Sequence, residues 1–518
     1  MRTAFGAIVT FALMQAVAVA AAPRGEVHFT TSANKRVQSD IDQGVALLHN
    51  FQWSEASRAF ERASRRDSRC AICHWGQAMA LTLTLMGGPN EADMAQARVE
   101  LQAARAGTGT PRERGYIRAA EAFFREAADM TPRQRLREYS DNLGQLRRHY
   151  PSDVDAAAFY GLSLIALANE EENPIPLLRQ ALDVLEPEFR THPNHPGIVH
   201  YLIHAADVPE LASRGLDAAR VYARLAPDSS HALHMPSHIF VRLGLWSEVI
   251  ASNRRAATVG ATAAAHHHGE ATYQLHALDY LIYASLQRGD EATVRAILPL
   301  RDVPGADAGL LTYQRTFFAA QVEVELHRWK EAALLPAPTL PANFLVTTYW
   351  ARTIGAARSG DLPKARESMS RLREAAEARQ VRRSHGGPLP SEETLEVVEA
   401  QAWLVYAEGR INEAADALRM ASDREAADGG ESTTVPASEM LADLLLDANR
   451  PGEALAWYER TLGHAPNRFN SLIGTGRAAE ALGDVSRARS SYACLLSIVA
   501  PTANRPELAQ VRSIMRGR

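Results

Sequence analysis

The sequence predicts an all-α fold, a solenoid of stacked helical hairpins. Three observations predict it. A turn followed by a small residue and, four positions on, a large one recurs along the chain. Proline- and glycine-rich breakers separate stretches of helix length. No run alternates Val, Ile or aromatic residues between turn signals as a strand would. A length of 518 residues suits an elongated array, because a single core rarely grows past about 250–300 residues.

The N-terminus reads "MRTAFGAIVTFALMQAVAVAAAPRG". Arg2 gives a positive start, an apolar run follows from Phe5 to Ala20, and small residues allow cleavage after Ala20 or Ala22. Residues 1–22 are therefore expected to be a signal peptide, and the mature chain to be exported, periplasmic or extracellular. An uncleaved anchor is the alternative. No later run reaches the length of a membrane span, so none is expected after cleavage. Charged residues make up 22% of the chain and the net charge is -4, with no basic run, which argues against a nucleic-acid partner. No Gly-rich phosphate loop, G-x-S-x-G elbow or H-E-x-x-H motif occurs.

The recurring motif begins with "NFQWSEASRAFERA", which supplies Ala56, Phe60 and Ala63. It returns with Ala365, Met369 and Leu372, then Ala414, Leu418 and Ala421. Ala454, Tyr458 and Thr461 follow, then Ala488, Tyr492 and Leu495. Ala332 and Val249 mark looser copies. The small residue lets two helices approach, and the large one fills the gap against the next pair. Ala454 and Ala488 stand 34 apart. In these features the chain resembles the tetratricopeptide repeat family, whose unit is two antiparallel helices in 34 residues. The likeness is clearest over 39–66 and 345–500.

The implied organisation is an N-terminal helical region at 23–190, a histidine-rich region at 191–300, further repeats at 301–385 and C-terminal repeats at 386–518, some twenty helices in all. "RRSHGGPLPSEE" from Arg382 and "ADGGESTTVPAS" from Ala427 read as loops. The resemblance implies a protein or peptide partner held in a concave groove.

"RCAICHWGQAMA" contains Cys70-x-x-Cys73-His74, the spacing of a c-type haem attachment. A local disulfide or two free thiols would serve the same spacing, and no apolar haem pocket or second axial ligand can be read nearby. The stretch also resembles segments of a group of exported bacterial repeat proteins, in which the second cysteine is often missing and an aromatic often replaces the histidine. That resemblance implies a packing motif, and haem ranks last among the readings. Cys494, in an apolar helix-like run, is expected to be buried and inert.

Eleven of the 18 histidines fall between His192 and His276. In "HPGIVHYLIHAADVPE", Pro196 suits a first helical position, and His200 and His204 then share one helix face with Asp207 beyond them. Such a pair can hold one ion, with the carboxylate as a third ligand or a supporting partner. In "SSHALHMPSHIFVRLGLW", His231, His234 and His238 are expected on a helix that starts near Ser230 and is kinked by Pro236; a helix that starts at Pro236 instead would leave His231 and His234 in a loop.

The repeat register implies that these three face the groove, joined from the next unit by His276, Asp279 and Tyr283. His200, His204, His231, His234, His238, His276 and Asp279 thus form one candidate ligand pool. Imidazoles with a carboxylate suit a divalent transition metal: Zn, Fe, Mn or Cu. Lining for a bound peptide and a hydrogen-bonded structural cluster are the alternatives. His49 reads as structural, His192 and His195 as turn residues, and His266–His268 as a solvated helix end. The functional expectation is an exported repeat scaffold for a protein or peptide with a metal site in its groove, or else a metal-dependent enzyme of unspecified reaction.

Overall fold

A computed structural model describes residues 25–82, 88–126, 130–171, 173–264, 270–301, 303–383, 394–427 and 433–517. The proposed signal segment, His266–His268, most of the expected loop from Arg382 and residues 428–432 of the loop from Ala427 lie outside these residues. Within them the chain is all-α: 26 α-helices, three short 3-10 turns and one isolated bridge between Cys70 and Thr108. No helix among the described residues is long and apolar enough to cross a membrane.

Among the described residues one turn is used eight times to reverse the chain. Helices ending at His49, Arg242, Gln287, Glu325, Arg358, Ala407, Asp447 and Ala481 are each followed, two residues on, by a residue with positive φ. These residues are Phe51, Gly244, Gly289, His327, Gly360, Gly409, Asn449 and Gly483. The next amide then reaches back five residues, as Asp484 N–H does to the Ala479 carbonyl and Gln52 N–H to that of Leu47. This is the Schellman stop, which satisfies the last carbonyls of a helix and turns the chain sharply.

The small-then-large motif packs as expected. Ala56, Ala332, Ala365, Ala414, Ala454 and Ala488 are all buried, as are Phe60, Met369, Leu418, Tyr458 and Tyr492. The three aromatic ones lie against helical glycines. A Cβ on Gly76 would stand 2.3 Å from the Phe60 ring, and on Gly474 and Gly476 2.1 Å from Tyr458 and Tyr492. Each glycine is the socket for an aromatic ring.

The C-terminal repeats close on the histidine-bearing hairpins. Trp246 Nε1 donates to the Asn467 carbonyl at 2.8 Å, and Ala500 N–H to that of Arg288 at 2.8 Å. At the centre of this junction Arg468 is fully buried. It donates to both Glu325 oxygens at 2.9 and 3.0 Å, to Glu439 at 2.7 and 2.9 Å, and to the Tyr283 hydroxyl at 2.5 Å. Pro236 acts as expected: one helix runs Ser230–His234 and the next Pro236–Arg242, with Met235 between them.

Candidate metal centre

The histidines converge, but as two sets rather than one pool. The first is His234, His238 and His276, whose ligand atoms lie within 4.8 Å of one another. His234 and His238 flank the Pro236 break, and His276 comes from the facing helix Glu270–Gln287. His234 Nε2 and His238 Nε2 stand 3.0 Å apart.

What lies behind the rings decides which nitrogen carries a proton. A neutral imidazole has one N–H. His238 Nδ1 is 2.7 Å from the Asp207 carboxylate, which accepts, so Nδ1 donates and Nε2 presents a lone pair. Asn253 Nδ2 donates to the Val249 carbonyl at 2.9 Å, which turns the amide oxygen towards His234 Nδ1 at 2.7 Å. His234 Nε2 is therefore also a bare lone pair. Two lone pairs facing at 3.0 Å repel unless a cation lies between them. A proton is opposed by burial, which with the neighbouring His276 and His238 holds His234 well below the ordinary histidine range. A metal ion would satisfy both nitrogens. Two nitrogens at 2.0–2.1 Å from one tetrahedral ion stand about 3.3 Å apart.

The second set is His200, His204 and His231. His200 Nδ1 donates to the His49 carbonyl at 2.7 Å, so its Nε2 is again bare. His204 Nε2 and His231 Nε2 each lie 3.1 Å from it. One ring nitrogen offers one in-plane lone pair and can accept well from only one of them. Phe51 covers this set. Its ring stacks on His204 and His231 at 5.7 and 5.5 Å and meets His200 edge-on at 4.5 Å. Phe51 holds φ +55 at the turn that ends the helix before it, a costly conformation for a bulky residue. Burial, then the like charges of neighbouring histidines, pushes His200 and His231 far down and His204 to about 3.

A third group makes the contrast. His49 Nε2 and His195 Nε2 lie 3.0 and 3.2 Å from Asp155 Oδ1, and the His49 Nδ1 accepts from Tyr201 at 3.0 Å. His195 Nδ1 accepts the Ile198 amide as a helix N-cap. Every proton here has a donor and an acceptor, so this fully buried group is complete as a hydrogen-bonded network.

Of the predicted ligands, six fall into the two sets. Asp279 falls in neither; the Thr433 hydroxyl approaches it at 3.4 Å from the C-terminal arm. Asp207 supports His238 rather than His200 and His204, and Arg242 Nε braces its other oxygen at 3.0 Å. Tyr283 is buried and its hydroxyl accepts from Arg468. His195, read as a turn residue, is a buried cap.

Cys70 and Cys73 form a disulfide, and His74 Nδ1 pairs with Glu100 at 2.8 Å. Thioether attachment would need both of the sulfurs that this disulfide joins. Cys494 is only partly buried, and its thiol approaches Asn467 at 3.5 Å. Sequence reasoning missed Asn253, Phe51 and Tyr280. Tyr280 lies against all three rings of the first set at 4.7–5.2 Å, and only its spacing of four from His276 hinted at that.

The fold and the site together define an all-α helical-hairpin solenoid with two histidine triads able to hold metal ions. No family model and no curated protein matches the chain. Among solved structures, it is similar to a tetratricopeptide repeat protein from Parabacteroides merdae, at 13% identity and TM-score 0.28 over 55% of this chain and 97% of that one. It is also similar to the APC/C hetero-tetramer Cut9-Hcn1, at 10% identity and TM-score 0.27 over 93% of this chain and 97% of that one.

Proposed function

We propose that this chain is an exported metal-binding repeat protein, which holds a divalent transition ion on its histidine wall and presents it to a protein or peptide partner. The observation that carries the reading is the pair of lone pairs on His234 and His238, aimed at each other by acceptors behind both rings. Imidazole-only donors favour Zn or Cu over Mn, with Fe between. The apolar N-terminal run supports export, and so does the Cys70–Cys73 disulfide, which persists in oxidising compartments.

A second reading is a metal-dependent enzyme. It is favoured by the solvent exposure of His276. Three neutral imidazoles with an open fourth position are a catalytic zinc arrangement, in which bound water is acidified towards neutral pH.

The test is elemental analysis of untagged protein purified without a metal column. Stoichiometric metal, lost in His234→Ala and His238→Ala, is the expected result. Protein that contains none, and takes up neither Zn2+ nor Cu2+ on titration, overturns the reading. Partner capture with and without chelator then separates scaffold from enzyme.

A further inference from the structure

We propose that the chain holds two metal ions in two unlike centres: one capped by Phe51, the other open to an external ligand. This rests on the metal-binding reading and deepens it. The two triads share no residue, and each supplies three nitrogens. They are aimed by different supports: the His49 carbonyl behind His200, Asn253 behind His234, and Asp207 behind His238. His231 and His234 sit three residues apart on one short helix, yet their Nε2 atoms serve different sets. His231 reaches His200 at 3.1 Å, and His234 reaches His238 at 3.0 Å. His234 and His238 are four apart and so share one helix face, while His231, three residues earlier, reaches His200 on the helix Pro196–Ala205.

The surroundings divide the labour. Phe51 lies across all three rings of the His200 set and is itself buried, which leaves an apolar cap where a fourth ligand would enter. The His234 set has the Tyr280 ring and hydroxyl beside it and an exposed His276 at its rim. That centre can accept water or a small anion; the capped one cannot without moving Phe51. The Asp155 group takes no ion, because its protons are already placed between its own donors and acceptors.

Equilibrium dialysis of the full mature chain against Zn2+, followed by elemental analysis, tests this directly. The expected content is two ions per chain, falling to one in His204→Ala and to one in His276→Ala. Both substitutions are at sites that are not fully buried. With Co2+ in place of Zn2+, azide is expected to shift the visible spectrum of His204→Ala and leave that of His276→Ala unchanged. No bound ion overturns the metal reading itself. One ion in the wild type, or both ions lost from either variant, overturns the two-centre proposal while sparing that reading. Three ions also overturn it, through the Asp155 group. The wild-type count decides the matter even if a variant fails to fold.

Discussion

Replacing Asp207 with Asn should weaken zinc binding by about 10–100-fold, because outer partners of metal-bound histidines set ring orientation and basicity. Asp207 has two clients. One oxygen accepts from His238 Nδ1 at 2.7 Å, and the other accepts from Arg242 Nε at 3.0 Å. An amide of the same shape has one oxygen and one NH2. Whichever donor the oxygen serves, the NH2 confronts the other. If Arg242 keeps the oxygen, His238 loses its acceptor and can carry its proton on Nε2, where the ion should bind.

The expected loss corresponds to about 1.4–2.7 kcal/mol, at 1.36 kcal/mol per tenfold. The assay is competition of the protein with a chromophoric zinc chelator at neutral pH. Only the ion of the His234 set should weaken; an ion held by His200, His204 and His231 should keep its affinity. Unchanged affinity for every bound ion, in a variant that melts like the wild type, would refute the tautomer argument.

Other perturbations follow from the scaffold. Arg468→Met leaves Glu325 and Glu439 buried without their cation and should cost about 3–5 kcal/mol in urea denaturation, with less loss when both glutamates become glutamine as well. Gly476→Ala drives a Cβ to 2.1 Å from the Tyr492 ring and should cost about 1–3 kcal/mol, whereas Gly463→Ala, with nothing within 4 Å, should gain up to about 1 kcal/mol.

The pH dependence turns on two neighbours, His327 and Asp443, 3.4 Å apart. Burial lowers His327 from 6.5 to about 4, so its contribution is lost as pH falls through that window. Burial raises Asp443 from 3.8 to about 6, so its contribution is lost as pH rises through nearly the same window. The two slopes oppose each other. Asp443→Asn should therefore make stability rise more steeply with pH between about 4 and 6 than in the wild type, by up to about 1.4 kcal/mol per unit. Equal slopes in chemical denaturation at several pH values would contradict that account.

The fold was legible because hairpin packing repeats itself. The Ala–large spacing recorded the close approach of helices, and the buried Ala454 and Tyr458 are where it put them. The glycine sockets were less legible, since nothing local tells Gly476 from a glycine in a loop. The histidine wall was legible as residue type and helical spacing. Its division into two sets was not, because the partners that split it, His200 and His204 on one side and His276 on the other, come from two different helices. Asp279 shows the same limit: one turn from His276, it is met by Thr433, far along the chain. Arg468 gave no signal, because its partners Glu325 and Glu439 come together only when the C-terminal repeats fold back. The Cys-x-x-Cys-His spacing is shared by haem attachment and by a local disulfide, and the two sulfurs are joined here.

X-ray absorption at the edge of the metal in the loaded protein tests the central claim most directly. A first shell dominated by nitrogen at about 2.0–2.1 Å, with the outer-shell scattering of about three imidazoles per ion, is the predicted result. A shell dominated by oxygen or sulfur, or one without imidazole scattering, would contradict it.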